Sequence, residues 1–266
     1  MDYEQIIGVI RQELGGLSSR AAEHAARATL QTLAERLPRA EARHIQQELP
    51  AELAPWVYTE TEAEAFDIDE FLDRVAKRED TDIETALLHA RAVFTALGSA
   101  LSPKAVAHLT ATLPKTFDPL IAEAQNRSLD IMPADHFWGR VGQQLSIDQA
   151  GARLITEAVL ETLAERIAAG QVEDLIAQLD PLLHPPLRRG VSTAPGARRM
   201  PLEEFLQRVA RREGVDVDEA ELFEQVFRHA RAVFETLAEA VSAKEWFDVI
   251  VQLPEDYRGL IPARSS

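Results

Sequence analysis

The chain has 266 residues, a net charge of −16 and no cysteine. Its length favours two domains of ordinary size over one, and the missing thiols exclude a disulfide framework, thiolate-ligated zinc and a cysteine nucleophile. A field of this sign repels phosphate backbones and anionic lipid, so neither nucleic acid nor a membrane is an expected partner.

In chain order, the opening MDYEQIIGVIRQEL sets two acids before its first base and lacks the apolar run of a signal peptide. No stretch of 18 apolar residues follows, so no spanning helix is expected and a cytoplasmic location is favoured. A first amphipathic segment, ATLQTLAERL at 28–37, leads to ELP at 48–50. Leucine followed by proline after such a run is a helix stop, because proline lacks an N–H and holds the residue before it out of the α region. PWVYTETEAEAF near 55–66 forms a joint; FLDRVAKRE (71–79), HARAVFTALGSALS (89–102) and TLP (112–114) follow, and EAQNRSLDIMPAD near 123–135 forms a second joint. The rest runs through AVLETLAERI (158–167), QLDP (178–181), the turn-rich HPPLRRGVSTAPGARRMP (184–201), FLQRVARRE (205–213), HARAVFETLAEAVS (229–242) and QLP (252–254).

These segments pair off. FLDRVAKRE matches FLQRVARRE in seven of nine positions, the two HARAVF segments match in nine of fourteen, and ATLQTLAERL matches AVLETLAERI in seven of ten. The chain is therefore a duplicated pair of units, four in all. Phe223, Val226, Phe227, Ala230, Val233, Phe234, Leu237 and Val241 recur at three- and four-residue intervals, one apolar stripe on a long helix. Alternating strand patterns are absent. The fold class is all-α, a tandem pair of six-helix bundles, each built from two similar three-helix units. The domains are expected at 1–125 and 130–262, with 184–201 a Pro/Gly/Arg-rich loop inside the second. Capping spacing marks helix starts at Thr81 with Glu84, Ser146 with Gln149, Ser242 with Glu245, and Ser102 before Pro103. The copies differ most in their charged joints: residues 60–84 hold eleven acids against three bases, whereas Arg188, Arg189, Arg198 and Arg199 sit in an acid-free run that reads as a solvated loop.

The repeated FLxRVA start, the RAV-containing central helix and the closing QLP resemble the bacterial family catalogued as domain of unknown function 2267, as two tandem copies over nearly the whole chain. The resemblance implies an all-helical bundle and assigns no reaction.

In HARAVF, His89 and His229 flank the apolar stripe on one side, Arg91 and Arg231 on the other, all at boundary positions. The small Ala90 and Ala230 admit neighbouring helices, and Phe94 and Phe234 fill the space beyond. Arginine recurs as Arg27, Arg91 and Arg231 but gives way to Glu157, while Ala25 and Ile155 stand where the histidines would be. Such tolerance fits packing better than shared chemistry. His229, as a boundary residue without a buried charge partner, is expected to be dispensable for stability. Trp138 and Trp246 lie in apolar runs and read as core; Trp56, in PWVY, covers a bundle end or offers a contact surface. Glu41 and His44 form an ExxH of the di-iron kind, but no second ExxH exists, so this is read as a surface helix. No HExxH, phosphate cradle or G-x-S-x-G elbow is present, and no catalytic residue, metal or cofactor is expected. The sequence points to a non-enzymatic protein-interaction or scaffold module. The alternative is a protein that binds a small anionic ligand in inter-helix cavities lined by the repeat arginines. His89, Arg91, His229, Arg231 and Trp56 are the residues that would touch a partner or ligand. Stacked amphipathic units ending in PARSS also suggest an uncovered apolar face and weak homodimerisation.

Overall fold

The computed structural model describes residues 1–60, 62–125, 131–193, 197–215 and 219–262, and among them it shows fourteen α-helices and no strand. The chain forms two tandem all-α bundles, over residues 1–130 and 131–266. The first half holds α1 (Tyr3–Glu13), α2 (Ser19–Arg36), α3 (Arg39–Glu48), α4 (Ile68–Glu79), α5 (Ile83–Ala100), α6 (Pro103–Thr112) and α7 (Asp118–Ala124). The second holds α8 (Ala134–Leu145), α9 (Gln149–Arg166), α10 (Ala169–Ile176), α11 (His184–Thr193), α12 (Leu202–Glu213), α13 (Glu219–Ala240) and α14 (Ala243–Ile250).

Four three-helix units are visible in this order: α1–α3, α4–α6, α8–α10 and α12–α14. Each ends at its leucine and proline and then makes a short 3₁₀ turn, at Ala54–Val57, Lys115–Phe117, Pro181–Leu183 and Glu255–Gly259. In the second and third units the turn continues into a closing helix, α7 and α11. In each unit the residue after the first helix or its cap has a left-handed backbone: Gly15 (φ 68°), Asp80 (φ 54°), Ser146 (φ 58°) and Gly214 (φ 68°). This reverses the chain tightly between the first and second helices. Ser146 is consumed by that role, so the cap of α9 is Asp148, which accepts from the Gly151 N–H at 2.8 Å. Likewise Asp82, not Thr81, caps α5, accepting from the Thr85 N–H at 2.8 Å. Ser102 and Ser242 cap α6 and α14 as the spacing indicates.

Both cores are built on the same aromatic triplet. Phe71 meets Phe94 edge-on at 6.4 Å and Phe117 at 5.2 Å; Phe205 meets Phe234 at 6.1 Å and Tyr257 at 5.4 Å. Phe117 and Tyr257 come from the 3₁₀ turns, so the proline stop that ends each unit also folds a ring back into the core. Burial pushes the Tyr257 hydroxyl well above its usual range, and it donates to the Met200 carbonyl at 3.0 Å. Trp138, Trp246, Ala90 and Ala230 are buried as expected.

The run at 184–201, expected as a loop, is helical over its first ten residues; residues 194–196 lie outside the described residues. Pro185 and Pro186 fall in the first turn of α11, where proline costs no helical hydrogen bond. The acids missing locally come from other helices: Arg188 pairs with Glu173, and Arg189 with Glu161 at 2.8 Å and Glu157 at 3.1 Å.

The closing helices sit against their own central helices through one glycine each, on opposite partners. A Cβ on Gly98 of α5 would lie 1.9 Å from the Ala124 carbonyl oxygen of α7, whereas a Cβ on Gly190 of α11 would lie 2.3 Å from the Glu161 carbonyl oxygen and 2.6 Å from Ala164 Cβ on α9. Ala164 occupies in α9 the place that Gly98 holds in α5. Gly190→Ala is therefore expected to push α11 off α9 and to lose about 1–3 kcal/mol, as overpacked sites do. A urea melt with an unchanged midpoint would show that the contact is not tight.

Candidate functional site

The histidines of HARAVF each pair with an acid at the end of the preceding helix. His229 Nδ1 lies 2.8 Å from Glu213 Oε2, and His89 Nδ1 contacts Glu79 Oε2 in the same way. Glu79 and Glu213 are the last residues of FLDRVAKRE and FLQRVARRE, and their side chains are only 4% and 2% exposed. In both copies the second carboxylate oxygen, Oε1, is buried without a hydrogen-bond partner. The two strongest repeated motifs thus meet as a buried acid–imidazole pair. This corrects the expectation that His229 lacks a buried charge partner.

The other repeated polar residues tie helices together as well. Glu165 of α9 is fully buried between Arg208, 2.6 Å away, and Arg212 of α12; Glu35 of α2 is held in the same way by Arg74 at 3.1 Å and Arg78 of α4. Thr32 and Thr162 accept from Arg78 and Arg212. The backbone carbonyls of Glu35 and Glu165 accept from the N–H groups of Glu64 and Arg198, at 2.8 and 3.1 Å. Burial works to raise the Glu161 carboxyl, but hydrogen bonds from Arg189 and Arg212 outweigh it and hold the group below its usual range.

The repeat arginine behaves differently from unit to unit. In the second unit Arg91 of α5 lies 3.9 Å from Glu123 of the closing helix α7. In the third unit the charges are exchanged, and Glu157 of α9 meets Arg189 of the closing helix α11. The first and fourth units have no closing helix among the described residues, and there Arg27 and Arg231 line open grooves. Arg27 shares a groove of about 470 Å³ with Ser18, Arg20, Ala21, Glu23, His24 and Trp56. Arg231, paired with Glu235 of its own helix at 2.8 Å, shares one of about 590 Å³ with Gln144, Ser146, Gln225, Arg228 and His229. Arg20, His24 and Arg27 have no ionic partner among the described residues. Trp56 is half-buried and forms the wall of the first groove. Of the residues singled out in the sequence, the structure brings His229 and Arg231 to one groove and Trp56 to another, and puts His89 and Arg91 into internal pairs.

Residues 3–120 and 134–260 each match the model of a family described as an uncharacterized conserved protein (DUF2267). The chain belongs to this family. No curated protein and no solved structure matches it. No helix among the described residues of this DUF2267 chain is long and apolar enough to cross a membrane.

The third-helix interfaces of the two DUF2267 copies carry polar clusters of which the sequence showed only the Glu41–His44 pair, read there as a surface helix. In the first, Glu41 and His44 of α3 are joined by His108 of α6; in the second, Glu245 of α14 accepts from Gln171 and Gln178 of the α10 segment. Burial, with the nearby Asp174 carboxylate, holds the Glu245 carboxyl above its usual range. A carboxyl raised in the folded state contributes stability that is complete at low pH and is lost as pH climbs through the carboxylate range. Glu245→Gln should therefore raise the melting temperature of the second half at pH 7 and leave it little changed near pH 4. The opposite order in paired thermal melts would mean that the ionised carboxylate is the favoured form.

Proposed function

We propose that this DUF2267 protein is a non-enzymatic protein-interaction module that receives an acidic helical segment of a partner. What carries this reading is the contrast among the four units: where the chain supplies a closing helix, the repeat position is clasped across to it, Arg91 to Glu123 and Glu157 to Arg189. Where the described residues supply none, Arg27 and Arg231 stand in open grooves. The Glu123 pairing is an in-chain example of the chemistry a partner would bring, a carboxylate on a helix laid across the central helix. In the first groove Trp56 adds an apolar wall, the kind of anchor on which interfaces concentrate their binding energy. The acidic chain as a whole repels acidic partners, so a local cationic groove gives specificity by contrast.

The test is a parallel capture by the wild-type chain and an Arg27→Glu, Arg231→Glu variant, with the retained proteins identified by mass spectrometry. A partner held by wild type, released by moderate salt and lost from the variant is the expected result. Equal retention by both would reject the grooves as the contact. A second copy of this acidic chain is one candidate partner, so we extend the proposal to weak self-association; light scattering that reports a strict monomer at high concentration would remove it.

A second reading rests on the 590 Å³ groove, where Arg228 and Arg231 converge in a volume suited to a small anionic ligand. A thermal-shift screen over nucleotides and organic acids would raise the melting temperature if one binds the native state. A flat screen leaves the protein-interaction reading alone.

A further inference from the structure

We propose that Glu41, His44 and His108 form a zinc-binding site that clasps α3 to α6 in the first half. Glu41 and His44 stand three residues apart on one face of α3, and His108 comes from the adjacent α6. Glu41 Oε1 lies 3.8 Å from His44 Nδ1 and 3.5 Å from His108 Nδ1, and the three donor atoms all fall within 4.8 Å of one another. Zinc bonds of about 2.0–2.2 Å in a tetrahedron place neighbouring ligand atoms about 3.3–3.6 Å apart, so small side-chain rotations complete three corners of the coordination shell. The fourth corner opens to solvent, since His44 is 54% and His108 43% exposed, which gives the ion an entry path and a water ligand. The donor set selects the metal class: two imidazoles and a carboxylate suit zinc and its neighbours, whereas magnesium and calcium take oxygen ligands.

The two sides are already held in register. At the far end of α3 the Glu48 carboxylate accepts from the Ser102 N–H at 2.6 Å and the Ser102 hydroxyl at 2.8 Å, which fixes the start of α6 against the end of α3. An ion would thus meet ligands whose backbones need not move. The two imidazole rings stand 6.0 Å apart around the one carboxylate. The second copy is an internal control, for by the repeat register the same places hold Gln171, Asp174 and Asp248, which carry no imidazole. One zinc ion per chain is therefore expected, and it binds in the first half.

The chain, stripped with a chelator and dialysed, is titrated with zinc sulfate and followed by calorimetry and thermal melting, with magnesium as the control. Wild type should take up one equivalent of zinc and melt at higher temperature as zinc is added, with no response to magnesium. His108→Ala should weaken uptake by about 100-fold or more, because altering even an outer-shell partner weakens metal binding by about 10- to 100-fold. It should also abolish the zinc-dependent rise in melting temperature, and Asp248→Ala should change neither. Circular dichroism of His108→Ala checks that it folds, and His44→Ala, at a more exposed position, repeats the test. Uptake of one equivalent with unchanged affinity in both histidine variants, or no wild-type uptake tighter than theirs, would overturn the proposal.

Discussion

Replacing His229 by alanine should cost the second half about 3 kcal/mol, the scale for leaving a buried carboxylate without its hydrogen-bond partner. A boundary histidine with no buried partner would cost under about 1 kcal/mol. The difference comes from Glu213. Its carboxylate is the last side chain of α12, beside the negative end of that helix dipole, and is almost wholly shielded from water. One of its oxygens already lacks a partner, and the other depends on His229. An ionised carboxylate only accepts, so Nδ1 of the ring carries the proton between them. Without the imidazole both carboxylate oxygens of Glu213 would be left without a hydrogen-bond partner in a site shielded from water. Urea melts read on the buried Trp138 and Trp246, in a Trp56→Phe background, would isolate the second half. A second variant sharpens the test: Glu213→Leu together with His229→Ile should recover most of the loss, since both members then become apolar and no buried charge is left. A single-variant loss under about 1 kcal/mol would show that the pair carries little of the stability.

The same chain contains that double replacement. The residues just before the left-handed turns of the four units are Leu14, Glu79, Leu145 and Glu213, and the histidine position reads Ala25, His89, Ile155 and His229. Acid and imidazole occur together or not at all. This joint exchange was present in the sequence and would have indicated contact, but comparing the histidine position alone shows only tolerance. Helices, apolar stripes and proline stops were legible because each depends on residues within one or two turns. Glu213 and His229 belong to different helices, and so do Glu41 and His108; nothing in local spacing links them. The closing helices α7 and α11 were missed for a different reason. Asp118–Pro119 and His184–Pro185–Pro186 look like breakers, yet proline in a first turn is compatible with a helix, and Gly190 serves close packing where composition suggested a loop. The divergence in charge between the copies was visible, but not its use: the arginines of 188 and 189 meet acids on α9 and α10.

Phe234→Ala should cost about 3–5 kcal/mol. The ring is fully buried at the centre of the second half, edge-on to Phe205 at 6.1 Å and to Trp246 at 5.8 Å. Removing it loses the transfer free energy of the ring, leaves a cavity between helices that cannot close, and breaks two aromatic contacts worth about 0.5–1.5 kcal/mol each beyond their area. The neighbours are fixed from several sides. Phe205 is also held by Tyr257, and Tyr257 by its hydrogen bond to Met200, so the shell has little freedom to collapse into the space. Trp246 would then face the cavity, and its emission should change in the native state before any denaturant is added. Phe247→Ala, one residue along α14 with its ring 60% exposed, is the matched control and should stay within about 0.5 kcal/mol. If the two variants lose similar amounts in urea, the aromatic triplet is not the centre of the core, and the first half, where Phe94 meets Phe71 in the same arrangement, would need the same revision.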